Sequence, residues 1–205
     1  MGKVKKKRGV VAGNLPRRDA RATEAGTSAN TIIKTLLRNI ELKAIYSDLD
    51  RARTALQNLG AIFTRSMTQC DTYFRVSHGR LKLREIDGGS AELIWYDRRD
   101  AVEYRGSDYT VVPIPDPALM KAALIAANGL RGEVRKTRDL WMYHNVRIHL
   151  DTVVGLGSFI EFEAVMSEGE DETASINRLG QLHAALAISK SDHRAASYSD
   201  LLGLE

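Results

Sequence analysis

Asn39-Ile40-Glu41-Leu42-Lys43 is the stretch on which the reading of this chain turns. Extended backbone sends successive side chains to opposite faces. Ile40, Leu42 and Ala44 then share one face, and Asn39, Glu41 and Lys43 share the other. The first face suits a core. The second carries an amide, an acid and a base in a row. A half-exposed antiparallel strand has the same pattern, with its polar row in water. Whether this row faces water or a charged interior has to be decided by the rest of the chain.

Working outward, the spacing predicts a strand over 37–46. A helix follows over 48–59, with Ser47 as its cap, Leu49, Ala52, Leu56 and Leu59 on one face, and Gly60 at its end. Strands are predicted over 61–67 and 71–76, then over 80–84 after the His78-Gly79 turn, and over 92–98 after Gly88-Gly89. A strand over 107–112 is stopped by Pro113 and Pro115. Asp116-Pro117 gives a cap and a first-position proline for a helix to about 127, apolar through Leu119, Ala122, Ala123 and Ala126. Residues 133–142 and 146–152 read as a hairpin turning at His144-Asn145. Gly155-Leu156-Gly157 leads to a strand around Ile160, Phe162 and Ala164. A last long helix over 171–188 carries Ile176, Leu179, Leu182 and Leu186, and residues 198–202 form a short docking segment.

Five of these strands pair one apolar row with one charged row, and the signs segregate. Basic rows fall at Arg80, Lys82 and Arg84 and at Lys136 and Arg138, with Arg98 added. Acidic groups fall at Glu41 and at Glu161 and Glu163. Like charges side by side repel unless acids or anions lie opposite. The helical stripes need an apolar surface to cover, and the apolar strand faces supply it. The charged faces are then left to meet one another inside a closed antiparallel barrel. That is costly unless the charges are paired or bind ions. A polyanion with a divalent cation satisfies both sets, the bases taking phosphate oxygens and the carboxylates a hard cation.

Composition narrows the class. A chain of 205 residues is one domain, or one domain with an appendage, and 43% hydrophobic with 27% charged residues is a globular balance. Residues 1–30 hold eight bases and two acids, a net of +6, against +4 for the whole chain. The remainder is therefore −2, so it has no global positive field and nucleic acid is not the expected partner of the domain. The division expected is a disordered basic tail over 1–30 and a domain over 31–205. The Lys5-Lys6-Lys7-Arg8 cluster has the charge for RNA or an anionic surface, and equally that of a solvated tail. No apolar run is long enough to cross a bilayer and no secretory signal opens the chain. Met1-Gly2 lacks the Ser or Thr at position 6 that myristoylation favours. Cys70, the single cysteine, reads as a packed thiol rather than a nucleophile, and a reducing cytoplasm is the expected location.

Asn-Ile-Glu-Leu-Lys resembles the ExExK signature of the CYTH family, the triphosphate tunnel metalloenzymes. Class IV adenylyl cyclases, thiamine triphosphatases and inorganic triphosphatases belong to it. Asp-Thr-Tyr-Phe at 71–74, Gly-Arg-Leu-Lys-Leu-Arg at 79–84, Leu-Ile-Trp-Tyr-Asp-Arg at 93–98, Val-Arg-Lys-Thr-Arg at 134–138, Arg-Ile-His-Leu-Asp at 147–151 and Phe-Ile-Glu-Phe-Glu at 159–163 resemble its later blocks, in order. The resemblance implies an α+β fold, an eight-stranded antiparallel tunnel with a charged interior and helices packed outside. It implies Mg²⁺ or Mn²⁺ on Glu41, Glu161 and Glu163, with Asp151 nearby, and a nucleoside or other triphosphate gripped by Lys43, Lys82, Arg84, Arg98, Lys136, Arg138 and Arg147. Glu41, Lys43, Glu161 and Glu163 would be the catalytic set. Arg98, Arg147 and Asp151 read equally as structural salt bridges, and His149 as a hydrogen-bonding wall residue.

The first acid of the signature is Asn39 here, which offers a neutral oxygen and no charge. The block wording is most similar to the class IV cyclase branch, which makes cyclic AMP and pyrophosphate from ATP. Triphosphate hydrolysis is the alternative, and a non-catalytic triphosphate- or RNA-binding module is the alternative of another class. A homodimer through an outer face is compatible with the pattern. Removing residues 1–30 is expected to leave turnover unchanged in a steady-state comparison with the full chain. A large loss would place the tail in the site.

Overall fold

The computed structural model describes residues 37–98 and 104–204. The expected basic tail lies outside them. Among the described residues, eight strands close into one antiparallel barrel: β1 (Leu37–Ile45), β2 (Ile62–Phe74), β3 (Arg80–Ile86), β4 (Ser90–Arg98), β5 (Arg105–Pro113), β6 (Leu130–Tyr143), β7 (Val146–Val153) and β8 (Gly157–Val165). Around the barrel they run β1-β5-β4-β3-β2-β6-β7-β8. Four α-helices join them: α1 (Leu49–Asn58), α2 (Pro117–Asn128), α3 (Glu172–Ala185) and the single turn α4 (Tyr198–Leu201). None is long and apolar enough to cross a membrane.

The charged rows do face inward, and the apolar rows face the helices. Ile40, Leu42 and Ala44 of β1 join Ile148 and Leu150 of β7 and Ile160, Phe162 and Ala164 of β8 in the main core. Ala52 and Leu56 of α1 and Leu179 and Leu182 of α3 cover them. Full burial of a side chain of this size contributes roughly 1.5–3 kcal/mol. A second cluster sets Met120 and Leu124 of α2 over Phe74, Leu83, Ala91 and Ile114. In both places the helix amphipathicity determines which sheet face is outside.

Four expectations are corrected by the structure. The strands predicted over 61–67 and 71–76 are one strand, because Thr68-Gln69-Cys70 contains no breaker and β6 pairs with β2 from Ile62↔Met142 to Phe74↔Leu130. The cap of α1 is Asp48, not Ser47; its carboxylate accepts from the Arg51 amide at 2.9 Å. α2 presents Met120 and Leu124 to the sheet rather than the Leu119 stripe, and Leu119 is 68% exposed. β5 begins at Arg105, two residues before the expected 107, because Glu41 of β1 lies opposite and accepts its guanidinium. The cap and proline start of α2 are as expected, with Asp116 accepting from the Leu119 amide at 3.0 Å.

Phe162→Ala is expected to cost about 3–5 kcal/mol through the cavity left under α3. Leu119→Ala, at an exposed position, should stay within about 0.5 kcal/mol. Urea denaturation of both variants checks the assignment of inner and outer faces.

Candidate functional site

Register builds the site before any side chain is considered. Lys43 lies opposite Glu161 and Glu41 opposite Glu163 across β1 and β8. Arg147 and His149 of β7 face Glu163 and Glu161 from the other side. Arg138 is opposite Asp151, and Arg84 is opposite Asp71. Alternation keeps all of these on the inner face, so the segregated rows meet as ion pairs.

Two aspartates organise the cations. Asp71 accepts from Arg84 Nε and Nη2 at 2.7 and 2.8 Å and from Lys82 Nζ at 3.0 Å. Asp151 accepts from Arg138 Nε and Nη2, both at 2.6 Å, from Lys136 Nζ at 3.2 Å and from the Tyr198 hydroxyl at 2.9 Å. Burial works to raise both carboxyl pKa values, but Arg84 and Lys82 hold Asp71 well below the ordinary value and Arg138 and Lys136 hold Asp151 below it. Both stay ionised. The lysines respond in the opposite sense. Burial, with repulsion from Arg84, lowers Lys82 to about 8. Burial, with repulsion from Arg138, lowers Lys136 to about 7.

The acidic side of the tunnel lies on β8. Glu161 meets Lys43 at 3.1 Å and Arg138 at 2.7 Å, and Glu163 meets Arg147 at 3.3 Å. Burial opposes charge on both. Lys43 nevertheless keeps Glu161 well below the ordinary value, and the neighbouring His149 and Arg147 lower Glu163. Two ionised carboxylates in one wall are donors suited to a hard divalent cation. Glu41 belongs to the same cavity and is held by Arg105 Nε at 2.9 Å. Asn39 is buried beside it. With its amide turned to suit its neighbours, its oxygen accepts from Arg147 Nη2 at 3.3 Å and its nitrogen donates to the Arg38 carbonyl at 3.1 Å. The residue that replaces the signature's first acid thus steadies an arginine.

Of the residues singled out in the sequence, Glu41, Lys43, Lys82, Arg84, Lys136, Arg138, Arg147, Glu161 and Glu163 line one cavity. Arg98 ends β4 opposite Ser107, and its side chain lies outside the described residues. Asp151 stands behind the lining with four donors on its two oxygens. Three of these donors fall on Oδ2 and one on Oδ1, so Asp151 holds Arg138, Lys136 and Tyr198 together behind the cavity. Cys70 is half-buried, and burial pushes its thiol up, as suits a packed group.

Three contributors escaped the sequence reading. Asp71 opened a predicted strand and the Asp-Thr-Tyr-Phe block, but was given no part in the site. Arg105 preceded the predicted start of β5. Tyr198 was read as part of a docking segment, yet it enters the tunnel wall. Lys43 Nζ lies 3.9 Å from the centre of its ring and donates to the Ala196 carbonyl at 3.3 Å. Ser197 and Asp200 cap α4 reciprocally, and Asp200 ties the turn to Arg80 and Arg131 at 3.1 and 2.6 Å. Gly132 has to be glycine here, since a Cβ would fall 2.8 Å from Leu204, and its φ is +156°.

The sequence pattern of the CYTH domain matches residues 37–198. A Methanocaldococcus jannaschii protein named "Putative adenylate cyclase" is 25% identical over 174 residues, covering 80% of this chain and 98% of that protein. The PH1012 protein of Pyrococcus horikoshii superimposes with a TM-score of 0.70 at 21% identity, over 80% of this chain and 98% of its own. A Hippeastrum protein, described as a "putative adenylyl cyclase" that reveals a dominant triphosphatase activity, superimposes with a TM-score of 0.59 at 12% identity, over 82% and 94% of the two chains. The inward charge rows, the closed eight-stranded barrel and the match across 37–198 together make this chain a member of the CYTH family.

Proposed function

We propose that the tunnel binds the triphosphate of ATP and that the chain converts ATP to cyclic AMP and pyrophosphate with Mg²⁺ or Mn²⁺. The observation that supports triphosphate binding is the cation cluster of Lys82, Arg84, Lys136 and Arg138 on Asp71 and Asp151, and the relative named "Putative adenylate cyclase" favours the cyclase reaction. With Lys43, which shares Glu161 with Arg138, five cations meet three carboxylates, so the group has a positive excess once its lysines are charged, and a polyanion fits it. Arg84 and Arg138 are fixed as planar forks, each by a bidentate aspartate, and Lys82 and Lys136 act as point charges between them.

Lys43 stands between the two halves, on Glu161 and close to the cations, and in this reading it contacts both phosphate and the metal's carboxylate. Glu161 and Glu163 hold the cation, Arg105 orients Glu41 towards the same space, and Arg147, steadied by Asn39 and by the Tyr109 hydroxyl at 3.1 Å, adds charge at the other side. The bound cation supplies charge neutralisation on the phosphate oxygens. In the cyclase reaction the ribose 3′-hydroxyl gives its proton to solvent as its oxygen attacks the α-phosphorus, the bond from that phosphorus to the oxygen bridging to the β-phosphate breaks, and pyrophosphate leaves with that oxygen. The cation cluster is already oriented for the charge that develops on that leaving group, which lowers the barrier without reorganisation.

Triphosphate hydrolysis is the second reading. The cluster addresses the triphosphate and not the group attached to it, and the activity described for the Hippeastrum protein is of this kind. ATP, thiamine triphosphate and tripolyphosphate offered with each metal distinguish the two. Cyclic AMP with pyrophosphate supports the cyclase, orthophosphate release the hydrolase, and neither product from any of them overturns both. Glu161→Gln and Lys82→Ala are each expected to lower turnover about a hundredfold or more, the scale of losing a preorganised charge at the reacting centre. Full activity in both folded variants would remove the site assigned here.

Tripolyphosphate binding without metal should also take up protons. The anion draws Lys136, lowered to about 7, and Lys82, lowered to about 8, back to the charged form. Calorimetry at pH 8 in two buffers of different ionisation enthalpy is expected to give an uptake larger in the natural chain than in Lys136→Met by roughly half a proton or more. Equal values would show that Lys136 is charged before the anion arrives.

A further inference from the structure

We propose that His149 is a ligand of the tunnel's divalent cation, its Nδ1 completing a one-nitrogen, two-carboxylate site with Glu161 and Glu163. This rests on the reading above that the glutamate pair holds a metal. It adds a donor atom and a metal preference.

His149 sits on the inner face of β7, opposite Glu161, and its side chain is 5% exposed. Its Nδ1 lies 3.6 Å from Glu161 Oε2 and 3.8 Å from Glu163 Oε1. Both distances are too long for hydrogen bonds. Among the described residues Nδ1 has no hydrogen-bond partner. A wall histidine would turn its nitrogen onto one carboxylate and close that distance. This one is aimed between two.

The three donor atoms lie within 4.8 Å of one another. Ligand bonds of about 2.1 Å set neighbouring donors roughly 3–3.5 Å apart, so small side-chain rotations bring the triad onto one cation. Glu161 Oε2 already accepts from Arg138, but a carboxylate oxygen has a second lone pair. β1 contributes less here than the ExExK signature suggests. Residue 39 is a neutral amide on Arg147, which leaves Glu41, on Arg105, as the one acid of that row. The donors are therefore concentrated on β7 and β8, and one of them is nitrogen. Magnesium favours an all-oxygen shell in strict octahedral geometry, whereas imidazole suits first-row transition metals such as Fe²⁺, Ni²⁺ and Zn²⁺, and Mn²⁺, lowest of that row in affinity, accepts one nitrogen more readily than Mg²⁺ does. The site takes a borderline transition metal in preference to Mg²⁺.

Electron spin-echo modulation on Mn²⁺ bound to the full chain tests this without reference to turnover. Modulation from a directly bound imidazole nitrogen is expected, and its loss in His149→Asn. Titration should show Mn²⁺ affinity falling in His149→Asn by at least the roughly 10–100-fold that outer-shell changes cost at other metal sites, with Mg²⁺ affinity nearly unchanged. Mn²⁺ that binds the natural chain with no nitrogen modulation overturns the proposal, whether or not His149→Asn folds. Unchanged Mn²⁺ affinity in His149→Asn, alongside lost affinity in Glu163→Gln, overturns it and leaves the glutamate site standing. No Mn²⁺ binding to the natural chain, with or without tripolyphosphate, overturns both.

Discussion

Asp71 and Asp151, both buried, each hold a lysine and an arginine from the adjoining strand. Everything else in the tunnel depends on those two carboxylates. An isolated cation in such a place would lose its charge or refuse burial, and two together would repel. A bidentate aspartate makes an arginine acceptable and fixes the plane of its guanidinium. The lysine that shares the carboxylate is only partly compensated, which is why burial and the neighbouring arginine lower it. The outcome is a wall of rigidly held arginine forks with lysines that an arriving anion would draw into the charged form. Solvated surface lysines attract phosphate too, but they must be ordered and desolvated as it binds. Here much of that cost is met when the chain folds.

The acidic wall follows a complementary rule. Glu161 and Glu163 remain ionised because Lys43, Arg138 and Arg147 lie beside them, each on one carboxylate oxygen that keeps a second lone pair. A carboxylate pair that is charged but incompletely neutralised has capacity for a further positive ion. In the proposed function the barrel would set an anion against β3 and β6 and a cation against β8. Lys43 lies at their boundary, and its contact with the Tyr198 ring holds it there.

Much of this was legible from alternation and sign. Each inner row is short-range information, since residues i and i+2 must share a face, and segregated charge can be read strand by strand. The inside of the barrel could be inferred for the same reason: helical stripes have to cover apolar strand faces. Pairings across strands are long-range and are not encoded in any window. Asp71 became a site residue only because the register of β2 and β3 puts it opposite Arg84, and Arg105 only because β5 closes against β1. Tyr198 depends on the path taken by the chain after α3. The two strands seen in β2 are a boundary error of the usual kind: propensity marks good strand residues and says little about how long a partner such as β6 will be. The α2 face was misjudged because alanines populate several sides of that helix, and the larger Met120 and Leu124 decide which side packs.

β1 has a further consequence, in the order of assembly. Its neighbours are β5 and β8, so the strand that opens the described chain finds no partner in the next one to form. Its contacts close very large loops, and large-loop closure makes for slow folding. Until β8 arrives, Ile40 and Leu42 have only part of their core, Lys43 lacks Glu161, and the strand edge is open to foreign pairing. The last pairing to form is therefore also the one that sets Lys43 opposite Glu161 and Glu41 opposite Glu163. A chain stalled before that step has most of its strands paired and a tunnel that is still a cleft.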